Sequence, residues 1–188
     1  TTYKMFSGDA PGSDKTWESI GREYGLEDVT HYTTDTLTEE ESAEAYPYLI
    51  EANKKVGRKY PSDKPNTNQL LERDYLQARD ADAVFAVGTI VTPSKRGTNR
   101  WAIKGGTQWA VQIAIDMGKP VYIFNQKDGK WYTTTNGMDL KVIDTPTLTP
   151  NFAAIGTRGL TASGRKAIRD VFEKSMPKAP PTEAEWNN

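Results

Sequence analysis

The chain has 188 residues, 36% of them apolar, and its 24 basic and 25 acidic side chains give a net charge of −1. This length suits one α/β domain, and the near-neutral charge argues against nucleic-acid and membrane-surface binding, which favour a strong basic excess. There is no cysteine and one histidine, His31, which excludes disulfides, thiol nucleophiles and multi-histidine metal sites. We therefore expect no metal and no cofactor, a structural role for His31, no membrane partner and a cytoplasmic location.

Helices alternate with strands along the chain, and two helix starts carry a local signal. Asp14 is the expected N-cap of the first helix, and Thr38 with Glu41 forms a capping box for the second. In chain order we expect a strand at 3–6, a helix between Asp14 and Gly25, a strand at 29–33, helices at 38–55 and 68–80, a strand at 81–88, a helix at 107–117, a strand at 119–124, a hairpin arm at 130–135 and a helix at 162–175.

The strand at 81–88 indicates the fold class. Its nearly continuous apolar run is typical of strands covered on both faces, as in parallel sheets. With helices between the strands, we expect a Rossmann-like three-layer α/β sandwich with a mostly parallel sheet and an added hairpin. Residues 1–176 are predicted to form this single domain, with 145–161 irregular and 177–188 a disordered tail. Pro47 is expected to interrupt or restart the second helix.

Glycine-containing turns precede two of the predicted helices. One spans residues 7–14, and the other is Gly105-Gly106-Thr107. Glycine lets a ligand approach the backbone closely, and free N–H groups at a helix start favour anions. Both turns are expected at the carboxyl edge of the sheet, where open α/β sheets bind ligands. For the first turn, Asp9 and Asp14 suit ribose hydroxyls or a base edge, and the alternative is a plain strand-to-helix turn.

Two tryptophans lie close to the second glycine turn. Trp101 is in the long loop before it and Trp109 in the helical turn after it. A base stacked on an aromatic ring gains about 1–3 kcal/mol, so both are candidates for base stacking. The alternatives are core or subunit-interface packing for Trp109, and exposure or hairpin packing for Trp101.

Basic residues crowd the same loop. Lys95, Arg96, Arg100 and Lys104 either close over phosphates or form a solvated basic loop. Arg158, before the last helix, is a further candidate for phosphate contact, although a surface turn is the favoured interpretation.

Three stretches resemble the SLOG Rossmann-like superfamily, which includes the Lonely Guy phosphoribohydrolases and the DNA-processing protein Smf/DprA. Residues 7–14 are similar to its S-G-G-A-x-G-x-D turn, with Asp9 in place of the second glycine. Residues 70–88 resemble the Lonely Guy M-x-x-R-K helix and the following strand. Residues 105–107 and 118–122 resemble G-G-T followed by G-K-P-V. The resemblance implies a nucleotide pocket and a homo-oligomer paired through helices beside it.

One departure from the Lonely Guy pattern bears on catalysis. The resemblance matches Arg73 to the catalytic arginine, but it places Ala110 where the pattern has a catalytic glutamate. A methyl group can neither stabilise an oxocarbenium centre nor transfer a proton. Asp9, Asp14 or Asp116 could substitute as an acid. No catalytic residue is assigned on this basis, with Arg73 the candidate if the chain is an enzyme.

The sequence leaves two main hypotheses for function. The first is a protein that binds a nucleotide or a nucleotide-derived signal, of the cyclic-nucleotide or ADP-ribose type, and sequesters it without turnover. The alternative is a nucleotide N-glycosidase resembling the phosphoribohydrolases, while DNA handling is disfavoured by the net charge. The candidate ligand-binding residues are Ser7, Gly8, Asp9, Ala10, Gly12, Ser13, Asp14, Arg73, Gly88, Thr89, Trp101, Lys104, Gly105, Gly106, Thr107, Gln108 and Trp109.

Overall fold

The computed structural model describes residues 1–92 and 100–178, which form nine strands, five α-helices and a short 3₁₀ helix at Thr34–Thr36. The strands are β1 (Lys4–Ser7), β2 (Asp28–His31), β3 (Ala83–Gly88), β4 (Ile90–Val91), β5 (Ala102–Ile103), β6 (Val121–Asn125), β7 (Lys130–Thr133), β8 (Lys141–Ile143) and β9 (Asn151–Gly156). The helices are α1 (Ser13–Glu23), α2 (Glu39–Val56), α3 (Pro65–Asp80), α4 (Thr107–Asp116) and α5 (Ala162–Ser175).

Seven strands form one sheet in the order β2-β1-β9-β3-β6-β7-β8. The first five are parallel, and β7 and β8 continue the sheet as an antiparallel hairpin. Strands β4 and β5 pair separately, also antiparallel. The predicted α/β class, with a mostly parallel sheet and an added hairpin, is confirmed.

Helices cover both faces of the sheet because its central strands are apolar on both sides. In β3, Phe85 packs with Trp17 of α1 and belongs to the core that includes Phe172 of α5. The neighbouring Val84 belongs to the opposite core, with Leu49 of α2 and residues of α3 and α4. Alternate residues of a strand point to opposite faces, so one apolar run serves both cores.

The central position of β9 differs from the sequence prediction. Residues 145–161 are predicted to be irregular, and this is wrong for Asn151–Gly156, which lie between β1 and β3. Phe152 is opposite Met5 on one side and Ala83 on the other, and it is fully buried. The strand has only six residues and two of them are alanine, so its local pattern is weak. The strand is buried by β1 and β3, which come from distant parts of the chain, so the local sequence does not predict it.

Two predictions about helix boundaries also need correction, while a third is confirmed. Asp14 is the second residue of α1, and Gly12 occupies the N-cap with a φ of 84°. Pro47 lies inside α2, which continues past it. The capping box is present: Thr38 Oγ1 accepts from the Glu41 amide at 3.1 Å, and the Thr38 amide donates to the Glu41 carboxylate at 3.0 Å.

Candidate functional site

A cleft of about 620 Å³ lies at the carboxyl edge of the parallel strands. Its walls come from the β1–α1 turn, the inner face of α3, the start of α4 and the residues at the end of β9. The volume is within the range of small-molecule sites. Strand β9 lies between β1 and β3, so its end forms the floor between the two glycine turns.

Both predicted glycine turns contribute to this cleft, together with the predicted arginine on α3. The predicted residues that line it are Ala10, Asp14, Arg73, Lys104, Gly105, Gly106, Thr107 and Trp109. The predicted residues outside its lining are Ser7, Gly8, Asp9, Gly12, Ser13, Gly88, Thr89, Trp101 and Gln108. Arg158, the further candidate for phosphate contact, also lines the cleft. The lining residues for which the sequence predicts no contact with the ligand are Arg58, Lys59, Thr67, Leu70, Leu71, Asp74, Gln77, Ala110, Ile155, Gly156 and Thr157.

The hydroxyl groups of the first turn are engaged within the protein. The Asp9 amide donates to Ser7 Oγ at 3.0 Å, and Ser13 Oγ donates to the Thr157 carbonyl at 2.6 Å. The Ala10 amide donates to the Asp14 carboxylate at 3.2 Å. An acidic side chain therefore occupies the start of α1. This arrangement disfavours phosphate there and suits a ligand hydroxyl or amino group.

Gly8 allows a close approach between two charged side chains at the edge of the cleft. A Cβ at Gly8 would lie 2.9 Å from Arg73 Cζ and 3.0 Å from Asp14 Oδ2. Arg73 Nη1 donates to the Gly8 carbonyl at 3.2 Å, and Arg73 Nη2 lies 3.5 Å from Asp74 Oδ1. Arg73 is thus held beside two aspartates, one from the β1–α1 turn and one from its own helix.

Burial changes the protonation of these two carboxyl groups. It raises the pKa of Asp14 to about 6, against the opposing effects of the Ala10 amide and the Arg73 guanidinium. Burial also raises the pKa of Asp74 to about 7, again opposed by Arg73 and reinforced by the charge of Asp14. The charge of Asp14 thus contributes to the raised pKa of Asp74, and both carboxyl groups bind a proton more tightly than they would in water.

The second turn has the opposite electrostatic character. Helix α4 begins after Gly106, with no side-chain cap and no acidic residue in its first turn, so its positive end faces the cleft. Lys59 and Lys104, both exposed, also line the cleft. Arg58 Nη2 donates to the Gly105 carbonyl at 2.6 Å. This end suits an anion, as predicted for a helix start.

Two buried donors on α3 have no hydrogen-bond partner among the described residues. They are Gln77 Nε2 and Arg73 Nε. Both side chains line the cleft, and Gln77 is 1% exposed. Buried polar groups are normally satisfied, so these donors favour a ligand with acceptor atoms. The sequence alone does not distinguish Gln77 from the core residues of α3. Its contact with the cleft depends on the turns before α1 and α4, which come from other parts of the chain.

The long loop before α4 contributes less than expected. Trp101 is 3% exposed, donates from Nε1 to the Gly137 carbonyl at 3.1 Å and packs under the Arg100 guanidinium. Arg100 donates to Gln112 Oε1 at 2.7 Å. Both residues are therefore held inside the fold, away from the cleft. Lys95 and Arg96, also candidates for closing over phosphates, lie outside the described residues, as do residues 179–188 of the predicted tail.

For Trp109 and for Arg158, the structure is compatible with both of the interpretations given from the sequence. Trp109 is 2% exposed and packs edge-on against Tyr60, yet it contributes to the cleft wall. It is therefore a core residue with one part facing the site. Arg158 is exposed in the turn after β9 and also lines the cleft, so the surface-turn interpretation and the phosphate interpretation both fit its position.

A group of possible metal ligands lies near the first turn. Within residues 1–92 and 100–178, it consists of Asp9, Glu18 and His31, whose ligand atoms lie within 4.8 Å of one another. Glu18 Oε1 and His31 Nε2 are 2.5 Å apart. Lys15 and Arg22 already pair with the two carboxylates, each at 3.0 Å. These ion pairs account for the acidic charges of the group, and His31 connects the end of β2 to α1.

Comparisons with family models, with curated proteins and with solved structures find no match. Among the described residues, no helix combines the length and the apolar character needed to cross a membrane. The cleft is therefore the feature of this chain that points to a function.

Proposed function

We propose that the cleft binds a nucleotide or a nucleotide-derived signalling molecule, of the cyclic-nucleotide or ADP-ribose type. One observation carries the proposal: two glycine turns, about a hundred residues apart, form walls of the same cleft at the carboxyl edge of a parallel sheet. This is where open α/β sheets bind their ligands. The resemblance of residues 7–14 and 105–107 to the SLOG superfamily supports the same class of ligand.

The charges of the cleft suggest how such a ligand would lie. Phosphate is expected at the start of α4, beside Lys104 and Lys59, where the helix end and the cations are positive. Ribose hydroxyls or base amino groups are expected at Asp14 and Asp74, which offer acceptor oxygens. Leu70 and Trp109 supply apolar surface between the two ends.

Two fates of the bound ligand follow from different residues. Ala110 lines the cleft at the position where the resemblance expects a catalytic glutamate, which favours retention of an intact ligand and hence sequestration. Arg73 also lines the cleft, at the position of the catalytic arginine, which favours the alternative of N-glycosidic cleavage. The predicted homo-oligomer and the cytoplasmic location stay predictions.

Mass spectrometry of small molecules released from the denatured, purified protein tests the proposal. We expect a phosphorylated nucleotide, and thermal-shift and calorimetric titration of a nucleotide panel should reproduce its binding. An intact ligand supports retention, and separated base and sugar phosphate support cleavage. The proposal fails if no nucleotide is recovered and no member of the panel binds.

Charge reversal at one residue tests the proposed phosphate position. Lys104→Glu should weaken the binding of a nucleoside monophosphate by about tenfold or more, because a charge-assisted contact is lost. It should change the binding of the matching nucleoside much less. Lys127→Glu, in the exposed turn after β6, is the matched control and should leave both affinities unchanged. Equal losses for the nucleotide and the nucleoside would contradict this position for the phosphate.

A further inference from the structure

Helix α3 contributes three polar side chains to the cleft from one of its faces. Arg73, Asp74 and Gln77 all line the cleft, and Gln77 follows the other two at spacings of four and three residues. Residues at these spacings are neighbours on a helix surface, with about 5–6 Å between their Cβ atoms. The three side chains therefore form one polar group, which we call the α3 patch.

Two donors of the α3 patch are buried and have no hydrogen-bond partner within residues 1–92 and 100–178. They are Gln77 Nε2 and Arg73 Nε, and Gln77 as a whole is 1% exposed. The Arg73 guanidinium is held in place from its other side, since Nη1 donates to the Gly8 carbonyl at 3.2 Å. A buried donor without a partner costs free energy, so the patch favours a ligand that brings acceptor atoms to it.

Asp74 supplies the acceptor of the α3 patch. Its side chain is 14% exposed, and its Oδ1 lies 3.5 Å from Arg73 Nη2. The two oxygens of a carboxylate offer about four acceptor positions, so a contact of this length leaves Asp74 able to accept further hydrogen bonds. Donors from a ligand would favour the ionised carboxylate and oppose the effect of burial, which raises the pKa of Asp74 to about 7.

Apolar side chains line the same cleft. Trp109 and Ala110 come from α4, Ile155 comes from β9, and Leu70 and Leu71 come from α3 itself. Binding sites of this kind combine apolar walls with a few polar groups that fix the orientation of the ligand. A flat base can bury its two faces against apolar walls while its polar edge meets the α3 patch.

We propose that the ligand of the cleft carries guanine and that the α3 patch binds the edge of this base. The inference rests on the proposed function and deepens it, since it names the base. Guanine has two adjacent acceptors, O6 and N7, and beside them two adjacent donors, N1–H and N2–H₂. Gln77 Nε2 and Arg73 Nε donate to the two acceptors, and the Asp74 carboxylate accepts from the two donors.

The other bases match the α3 patch less well. Adenine has its amino donor between the acceptors N1 and N7, so it offers one amino group to the carboxylate and no adjacent acceptors to the two buried donors. Hypoxanthine lacks the N2 amino group, and uracil has a single N–H on its edge. Guanine is thus the base that satisfies all three side chains, which favours a guanine nucleotide over a ligand of the ADP-ribose type.

Calorimetric titration of the full chain with GMP, IMP, XMP and AMP, and with the 3′,5′-cyclic forms of GMP and AMP, tests the proposal. Wild type should bind GMP or its cyclic form at least about tenfold more tightly than the matching adenine nucleotide. It should also bind GMP more tightly than IMP, because IMP lacks the N2 amino group.

A change of acceptor to amide at Asp74 should alter which base is preferred. Asp74→Asn should weaken the binding of GMP by about tenfold or more and should bind XMP more tightly than wild type does. The reason is that xanthine carries a carbonyl oxygen where guanine has the N2 amino group, and an amide can donate to that oxygen. A gain of affinity for XMP is a result that a misfolded protein cannot give.

A second variant tests the donor. Gln77→Leu should weaken the binding of GMP by about tenfold, but it should change the affinity for 2-aminopurine riboside monophosphate, which lacks O6, by less than about threefold. Asp170→Asn removes a carboxylate on α5 that pairs with Lys166 outside the cleft, and this control should keep the wild-type preference.

The outcomes separate the base assignment from the proposed function. Nucleotide binding without a preference for guanine, or an equal loss for every base in Asp74→Asn, overturns the guanine assignment and leaves the proposed function standing. Failure of every member of the panel to bind overturns both. If circular dichroism shows that one variant is unfolded, the other variant and the wild-type order of affinities decide the question.

Discussion

The side chains of Asp14 and Asp74 are largely buried, which is unusual for aspartate because an ionised carboxylate is much more stable in water than inside a protein. Arg73 lies beside both carboxyl groups and Arg158 also acts on Asp14, but these cations offset only part of the cost of removing two carboxylates from water. An asparagine of the same shape would avoid that cost. A stability cost of this kind is typical of residues at functional sites.

The stability cost of the pair should depend on pH. The folded state binds these protons more tightly than the unfolded state, where each pKa is near 3.8. Stability from the two groups is thus complete below pH 3.8 and is lost as the pH rises through about 6 and 7. Asp74→Asn, which imitates the protonated form, should raise stability at pH 8 by about 1–3 kcal/mol, with a much smaller gain at pH 5.

Thermal unfolding of wild type and variant at the two pH values measures this difference. Asp170→Asn, at a half-exposed position of α5 where the carboxylate pairs with Lys166, should show no pH-dependent gain. A gain of the same size at pH 5 and pH 8 would show that burial of charge is not the cause.

At the scale of the element, α2 shows how packing overrides a local signal. A proline inside a helix has no amide proton to donate, and its ring clashes with the carbonyl group four residues earlier. Helix α2 nevertheless continues through Pro47. The buried face of α2, which includes Leu49 and Val56, packs against α3 and α4. The capping box at Thr38 stabilises the start of the helix. These contacts together outweigh the local cost of the proline.

Replacement of that proline should stabilise the protein. Pro47→Ala restores a backbone donor at an exposed position without removing a buried side chain, so we expect a gain of about 1–3 kcal/mol in urea unfolding. Pro65→Ala is the matched control, because Pro65 is at the start of α3, where proline is well tolerated, and its replacement should change little. A loss of stability in Pro47→Ala would mean that the ring makes a contact needed by the fold.

For the whole molecule, the placement of β9 matters most. This strand enters last yet pairs between β1 and β3, so its end carries Thr157 and Arg158 into the space between the two glycine turns. The start of α1 is tied to it, since the Ser13 amide and hydroxyl both donate to the Thr157 carbonyl. The cleft thus depends on the last strand for its floor.

Phe152 should therefore be one of the most sensitive core positions. It is fully buried between the rings of Phe85 and Phe172, and Phe152→Ala should cost about 3–5 kcal/mol in denaturant unfolding. Val142→Ala, on the half-exposed edge strand β8, should stay within about 0.5 kcal/mol of wild type. Similar losses in the two variants would contradict a central role for β9.

The sequence by itself determined the features that depend on neighbouring residues. The bounds of α5, the capping box at Thr38, the apolar run of β3 and the glycine turns before α1 and α4 are all encoded within short segments. A capping side chain, an apolar pattern and a glycine each affect the backbone within a few residues. These features can therefore be predicted without knowing how the rest of the chain folds.

Only the tertiary structure decided which residues share the cleft. It placed β9 in the middle of the sheet, buried Trp101 away from the site, and brought Asp74 and Gln77 of α3 into the same cleft as Asp14. Burial, and the pKa changes that follow from it, depend on atoms contributed by distant segments. No local pattern carries that information, because the same residues in another packing would be solvated and chemically ordinary.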